Sequence, residues 1–237
     1  MKGNRAIARQ THRNSHTRRV GSAGEGESGE RRDTERPNKR IPAEQTEVRV
    51  TTDRIYLTGY RGTGKTTVGR LISAELATEC VDLDHVIEQA AGKTIREIFA
   101  EGGEDLFRDW ESRCLRQVAA DRSQGRVISL GGGAILREQN RDVIRQTGVC
   151  IWLTASPEVI AGRLAADQTT GQRRPALTEL SPVDEIRELL ARREPLYRQV
   201  ADLTLAGDAM SPEQLARDAV QWLGQHGGQS MTPQRND

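Results

Sequence analysis

The stretch GYRGTGKT at residues 59–66 constrains this chain more than any other feature. Gly59, Gly64, Lys65 and Thr66 satisfy the pattern G-x-x-x-x-G-K-[ST]. The apolar run RIYLTG at 54–59 leads into it, and Val68, Leu71, Ile72 and Leu76 follow at helical spacing. A strand, a glycine-rich turn and a helix in that order wrap successive backbone N–H groups around phosphate oxygens and add the positive end of the helix. Lys65 can then reach the β- and γ-phosphates, and the Thr66 hydroxyl can ligate Mg²⁺. The rival dinucleotide pattern G-x-G-x-x-G fails. After Gly62 and Gly64 its third position is Thr67, and after Gly131 and Gly133 it is Leu136, which argues against a nicotinamide enzyme.

Four more runs rich in β-branched residues are strand candidates, at 80–84, 126–132, 149–154 and 201–206. Between them lie segments with apolar residues three and four apart, which read as helices. SPEV at 156 and SPEQ at 211 place Ser at an N-cap, Pro at the first helical position and Glu after it, so each starts a helix. The second of these closes the domain near Leu223. Strands apolar on both faces that alternate with helices imply a mostly parallel sheet covered on both sides, an α/β three-layer domain.

The ends of the chain have a different composition. Residues 1–40 hold eleven Lys and Arg against five Asp and Glu, with no aromatic residue and no apolar periodicity. Such a segment cannot bury enough surface to offset its ordering entropy. The expected organisation is a disordered basic extension at 1–48, a folded domain at 49–225 and a flexible tail at 226–237. The whole chain carries net charge +1, which leaves residues 41–237 at net −5. A basic arm can bind nucleic acid, but aromatic residues for base stacking are missing from it, so no nucleic-acid partner is expected. The sequence shows neither a secretory h-region nor a run of about 20 apolar residues, and no membrane partner is expected. An Arg-rich start also fits an organellar presequence, although the amphipathic apolar face is missing; a cytoplasmic monomer is the expectation. Cys80, Cys114 and Cys150 are odd in number and lack metal-ligand spacing, so they read as apolar side chains in a reducing compartment.

A phosphate loop alone does not choose the acceptor. VDLDHVIE ends the second strand candidate with Asp82 and Asp84 at the two-residue strand period, so both can face one side. One could support Mg²⁺ and the other a substrate hydroxyl; Asp84 equally suits an N-cap for a helix starting near His85. Gly131, Gly132 and Gly133 directly follow the third strand, where α/β ligands bind, and also suit a mobile turn. EDLFRDWE puts Arg108 and Glu111 at helical i, i+3 spacing, so that the carboxylate can orient a guanidinium gripping a substrate carboxylate. TTGQRRPALT at 169–178 has the composition of a lid, with Arg173 and Arg174 before Pro175. Arg192 and Arg193 stand at a Pro break before the last strand.

In this order and spacing, the GYRGTGKTTVGRLIS loop and helix, DLD, TIREIFAEGGEDLFRDWE, LGGGA, RRPAL and RREPLYRQVAD resemble the shikimate kinase family over about Arg54 to Leu223. The resemblance implies the nucleoside-monophosphate-kinase type of P-loop fold, with a five-stranded parallel sheet in order 2-3-1-4-5. It also implies transfer of the ATP γ-phosphate to the 3-hydroxyl of shikimate, with Mg²⁺. On that analogy Gly62, Thr63, Gly64, Lys65, Thr66, Thr67, Arg163 and Arg174 bind ATP, Arg163 lying beside adenine and Arg174 being the lid arginine. Lys65 stabilises the migrating phosphoryl group, and Thr66 with Asp82 handles Mg²⁺. Asp84 holds the ring hydroxyls and acts as base, and Gly131, Gly132 and Gly133 pack on the ring. Arg108, oriented by Glu111, and Arg193 clamp the carboxylate. The lid reads RRPAL where the family usually has RPLL, and the basic extension has no counterpart in the minimal family pattern. Two other readings share the loop: a gluconate-type sugar-acid kinase, and a non-catalytic nucleotide-binding regulator that docks through its basic arm.

Overall fold

A computed structural model of the chain describes residues 54–123, 126–166 and 181–226. Its strands are β1 (Ile55–Thr58), β2 (Cys80–Asp82), β3 (Val127–Ser129), β4 (Val149–Thr154) and β5 (Leu203–Ala206). They pair in parallel in the order β2-β3-β1-β4-β5, as the resemblance implies. Around them lie helices α1 (Lys65–Glu75), α2 (Leu83–Ala91), α3 (Ile95–Ala120), α4 (Glu138–Thr147), α5 (Pro157–Ala166), α6 (Pro182–Val200) and α7 (Pro212–His226).

The strand period divides the core in two. Ile55, Leu57, Val127, Ile151 and Leu153 face Val68 and Ile72 of α1 and Leu215, Ala219 and Leu223 of α7. Tyr56, Ile128, Cys150 and Trp152 face the other way, onto Leu83 and Ile87 of α2, Phe107 and Leu115 of α3 and Tyr197 of α6. Both faces of the sheet are therefore covered, which is why its strands read as continuous apolar runs. Cys114 and Cys150 are buried and Cys80 is half-buried, all three as free thiols. Burial pushes Cys80 up to about 11, so it is a protonated apolar side chain at neutral pH.

Helices α5 and α7 start at Pro157 and Pro212, as their SPE signals predict, and Ser156 and Ser211 accept from the backbone N–H of Val159 and Gln214. Two expectations need correction. The second strand stops at Asp82, not residue 84, because α2 begins at Leu83; Asp82 is its N-cap and accepts from the Asp84 N–H at 3.1 Å. Asp84 is thus on the first helical turn, and the two aspartates do not share a strand face. Pro195 does not break the chain: α6 runs through it to Val200. A proline there removes one i→i−4 bond, while the buried Tyr197 and Val200 hold the last turns on the core. Helix α7 runs to His226. The expected extension at 1–48, the tail beyond His226 and the lid stretch 169–178, with Arg173 and Arg174, lie outside the described residues. Among the described residues no helix is long and apolar enough to cross a membrane.

Candidate active site

The loop between β1 and α1 is shaped by its glycines. Gly59 has φ 140°, and a Cβ there would overlap the Leu153 carbonyl of β4, so only glycine lets the loop leave the sheet at this point. Gly64 caps α1 with φ 91° and ψ 14°, turning the chain so that the first helical N–H groups face the loop. The buried Lys65 donates through Nζ to the carbonyls of Gly59 at 2.9 Å and Tyr60 at 2.8 Å. Its ammonium is thereby held inside the loop's ring, where phosphate oxygens would enter. Thr63 is buried and donates to the Tyr60 carbonyl at 2.8 Å, bracing the turn from within.

Next to the loop, the Thr66 hydroxyl donates to Asp82 Oδ2 at 2.9 Å and lies 3.3 Å from Ser129 Oγ. The sheet register explains this meeting, because Ser129 pairs with both Leu57 of β1 and Asp82 of β2. Two strand ends and the first turn of α1 thus deliver three oxygen-bearing side chains to one point. A cavity of about 260 Å³ opens here, walled by Gly62, Gly64, Lys65, Thr66 and Thr67 on one side. Asp82, Asp84, Gly131 and Gly132 form the other side. The donor set is hard oxygen with one carboxylate, and it adjoins a phosphate cradle. Mg²⁺ favours such a place, since it keeps several waters and completes its shell with phosphate. Among the described residues no cluster of three or more His, Cys, Asp or Glu forms a dedicated metal cage.

Beyond the glycine turn lies a cationic wall. Arg108, on α3, is buried and donates to Glu111 at 2.6 Å through Nη1. Its Nε and Nη2 donate to Glu104 at 3.1 and 3.0 Å. Burial alone would lower its pKa, but the two carboxylates outweigh that and raise it, so Arg108 stays charged. A Cβ at Gly133 would overlap its guanidinium, so the glycine is what lets Arg108 lie against the turn. On the other flank, Arg193 of α6 reaches the Gly132 carbonyl at 3.5 Å, and its guanidinium carbon is 5.8 Å from the Tyr60 ring centroid. Tyr197 donates to the same carbonyl at 2.6 Å, and burial pushes its pKa up to about 12, which keeps it a donor. Arg192, its neighbour in sequence, is exposed and paired with Glu188. Arg163 of α5 bridges the Gly207 carbonyl at 2.8 Å and the Gly62 carbonyl at 3.5 Å, at the opposite end of the phosphate loop.

Sequence reasoning passed over four residues of this arrangement. Ser129 was visible as a polar residue ending an apolar strand, but its meeting with Thr66 depends on register. Glu104 stands four before Arg108, a spacing that could have been counted beside Glu111. Tyr197 and Arg61, the latter in the cavity wall and 3.9 Å from Glu185, gave no local signal.

A strand–loop–helix phosphate cradle and two arginines on a glycine turn thus share one sheet edge. The shikimate kinase family model matches residues 61–224. The chain is 52% identical over 151 residues to the shikimate kinase of Rhodopirellula baltica, covering 64% of this chain and 80% of that protein. It is 39% identical over 176 residues to the shikimate kinase of Symbiobacterium thermophilum, covering 73% of this chain and 97% of that one. The solved structure of shikimate kinase from Acinetobacter baumannii in complex with shikimate aligns with TM-score 0.66 at 37% identity, over 73% of this chain and 93% of that one. Fold and relatives agree, and the chain belongs to the shikimate kinase family.

Proposed function

We propose that this protein transfers the γ-phosphoryl group of ATP to the 3-hydroxyl of shikimate. The observation that carries the reading is the shared wall: Gly131–Gly133 separates the phosphate loop from Arg108 and Arg193 by only the width of a turn. An acceptor whose carboxylate rests on the arginines therefore presents its far side to the loop.

Each residue then has a task set by its position. Lys65 turns from the loop carbonyls to the phosphates and stabilises charge on the migrating group. Gly62, Thr63, Gly64, Thr66 and Thr67 form the cradle, and Arg163 flanks the adenine side. Thr66 and Asp82 would hold Mg²⁺, which would supply charge neutralisation on the phosphates. Asp84, in the cavity wall, holds the ring hydroxyls and takes the 3-hydroxyl proton. Arg108 and Arg193 grip the carboxylate and Gly131–Gly133 pack on the ring. Arg174 adds charge compensation from the lid stretch. Residues 49–225 suffice for this work, consistent with a family match confined to 61–224.

The test is ADP release by the purified protein with Mg²⁺ and ATP, in parallel with shikimate, gluconate and no acceptor. Shikimate-dependent release is expected, unchanged when residues 1–48 are deleted. Release that depends on gluconate, or that ignores the acceptor, would overturn the assignment.

A further inference from the structure

Arg108 has more carboxylate around it than a substrate clamp needs. A guanidinium offers a side-on fork, Nε with Nη2, and Glu104 Oε1 occupies that fork at 3.1 and 3.0 Å. Glu111 takes the Nη1 side at 2.6 Å. The two carboxylates differ sharply in surroundings. The Glu111 side chain is 0% exposed and that of Glu104 is 56% exposed, while the Arg108 side chain between them is only 8% exposed. Glu104 is thus the group standing between the clamp and solvent.

The helix is broken just before it. Glu104 directly follows Gly102 and Gly103, where α3 is kinked, with Gly103 at φ 67° and ψ −158°. Glu104 therefore begins the second part of α3 and is joined to the first part through two glycines.

Resting on the reading of Arg108 as the acceptor clamp, we propose that Glu104 is a specificity-determining residue, an internal stand-in for the acceptor's carboxylate that the true acceptor displaces. The charge argument is direct. A substrate carboxylate arriving with Glu104 in place would put three carboxylates on one guanidinium, and one must leave. Glu111 cannot leave, because an uncompensated charge in its fully buried position is costly. Glu104 leaves easily, since its side chain already faces water. An anionic acceptor replaces the lost charge and keeps Arg108 neutralised. A neutral polyol cannot, and meets a clamp that is already closed. The residue thus weakens binding of every acceptor somewhat and binding of uncharged acceptors most.

The test is Glu104→Gln, which keeps shape and removes charge, assayed with Arg108→Lys and wild type. Glu104→Gln is expected to lower KM for shikimate about two- to fivefold, the loss of an exposed competing ion pair, with kcat moved far less. Equilibrium binding of shikimate to the nucleotide-free protein should tighten by the same factor. Thermal melts of both variants establish that they are folded. An unchanged or raised shikimate KM in Glu104→Gln, with Arg108→Lys raising it, refutes the stand-in while leaving the clamp intact. An unchanged KM in Arg108→Lys refutes the clamp, and the stand-in with it.

Discussion

Adding one methyl group at Gly133 tests the cationic wall without touching a charged residue. Gly133 has φ −108° and ψ 3°, a backbone that alanine adopts without strain. What the new Cβ meets is Arg108: it would lie 2.6 Å from both Cζ and Nη1, and closer still to Nη2. Ordinary contact begins near 3.4 Å, so the guanidinium must retreat by roughly an ångström. A side-chain end can do that without moving the backbone. Glu111 cannot follow, being fully buried, so the 2.6 Å bond and the aim of the fork are lost together. A charge-assisted hydrogen bond is worth about 1.5–3 kcal/mol, and about 1.4 kcal/mol is tenfold. Gly133→Ala should therefore reduce kcat/KM for shikimate by about tenfold to a hundredfold, mainly through KM, and should also lower the melting temperature, because the buried Glu111 carboxylate loses its partner.

The neighbouring glycine supplies the contrast. A Cβ at Gly132 meets backbone, the Gly59 carbonyl at 3.1 Å and the Arg61 N–H at 3.3 Å, which belong to the phosphate loop. Gly132→Ala should thus raise KM for ATP as well. Coupled ADP-release kinetics, varying each substrate in turn, separate the two. Gly133→Ala with an unchanged shikimate KM, or with both KM values raised alike, would refute the placing of the acceptor's carboxylate on Arg108.

Other expectations follow from the same geometry. Lys65→Ala should lower turnover at least about a hundredfold with the melt preserved, by loss of the ammonium at the phosphates; normal turnover would remove the loop from catalysis. Gly103→Ala should cost about 1–3 kcal/mol in denaturant titration, because φ 67° with ψ −158° is nearly closed to side chains; nothing crowds the Cβ, so the loss is backbone strain alone. Gly92→Ala, at φ 64° and ψ 21° and equally uncrowded, should cost less. Tyr197 binds its proton more tightly folded, at about 12 against 10.0, mainly through burial. Its stabilising effect is full below pH 10 and lost as pH rises toward 12. Tyr197→Phe should flatten that part of the alkaline unfolding curve, and an unchanged slope would exclude Tyr197 ionisation as its source.

The fold was legible because two periods agree along the chain. Apolar runs of strand length alternate with i, i+3, i+4 segments, and the Ser-Pro-Glu starts fix where two helices begin. Boundaries resisted where two local signals compete for one residue. VDLDHVIE supports either a strand carrying two aspartates or a helix capped by one of them. The cap went to Asp82, which then serves the helix through Oδ1 and Thr66 through Oδ2. Propensity could not decide this; the docking of Leu83 and Ile87 on the core did. Ser129 was hidden for another reason, since strand register is a property of three segments at once.

The surroundings of Arg108 mark the deeper limit of sequence reasoning. Written out, the segment reads E-D-L-F-R-D-W-E, with an acidic residue four before the arginine and another three after it. On an isolated helix the two would be near-equivalent partners, each worth a few tenths of a kcal/mol. The fold breaks that equivalence by packing. Glu111 is turned into the core beside Cys114 and Leu115, where its charge can never be without the arginine; Glu104 is left at the surface beside the glycine kink. One carboxylate has become a permanent part of the clamp and the other an occupant that can be exchanged. That division depends on a difference in exposure, which only the three-dimensional structure supplies, and with Arg108 as the proposed clamp it would turn an ordinary pattern of charges into a device for choosing an acceptor.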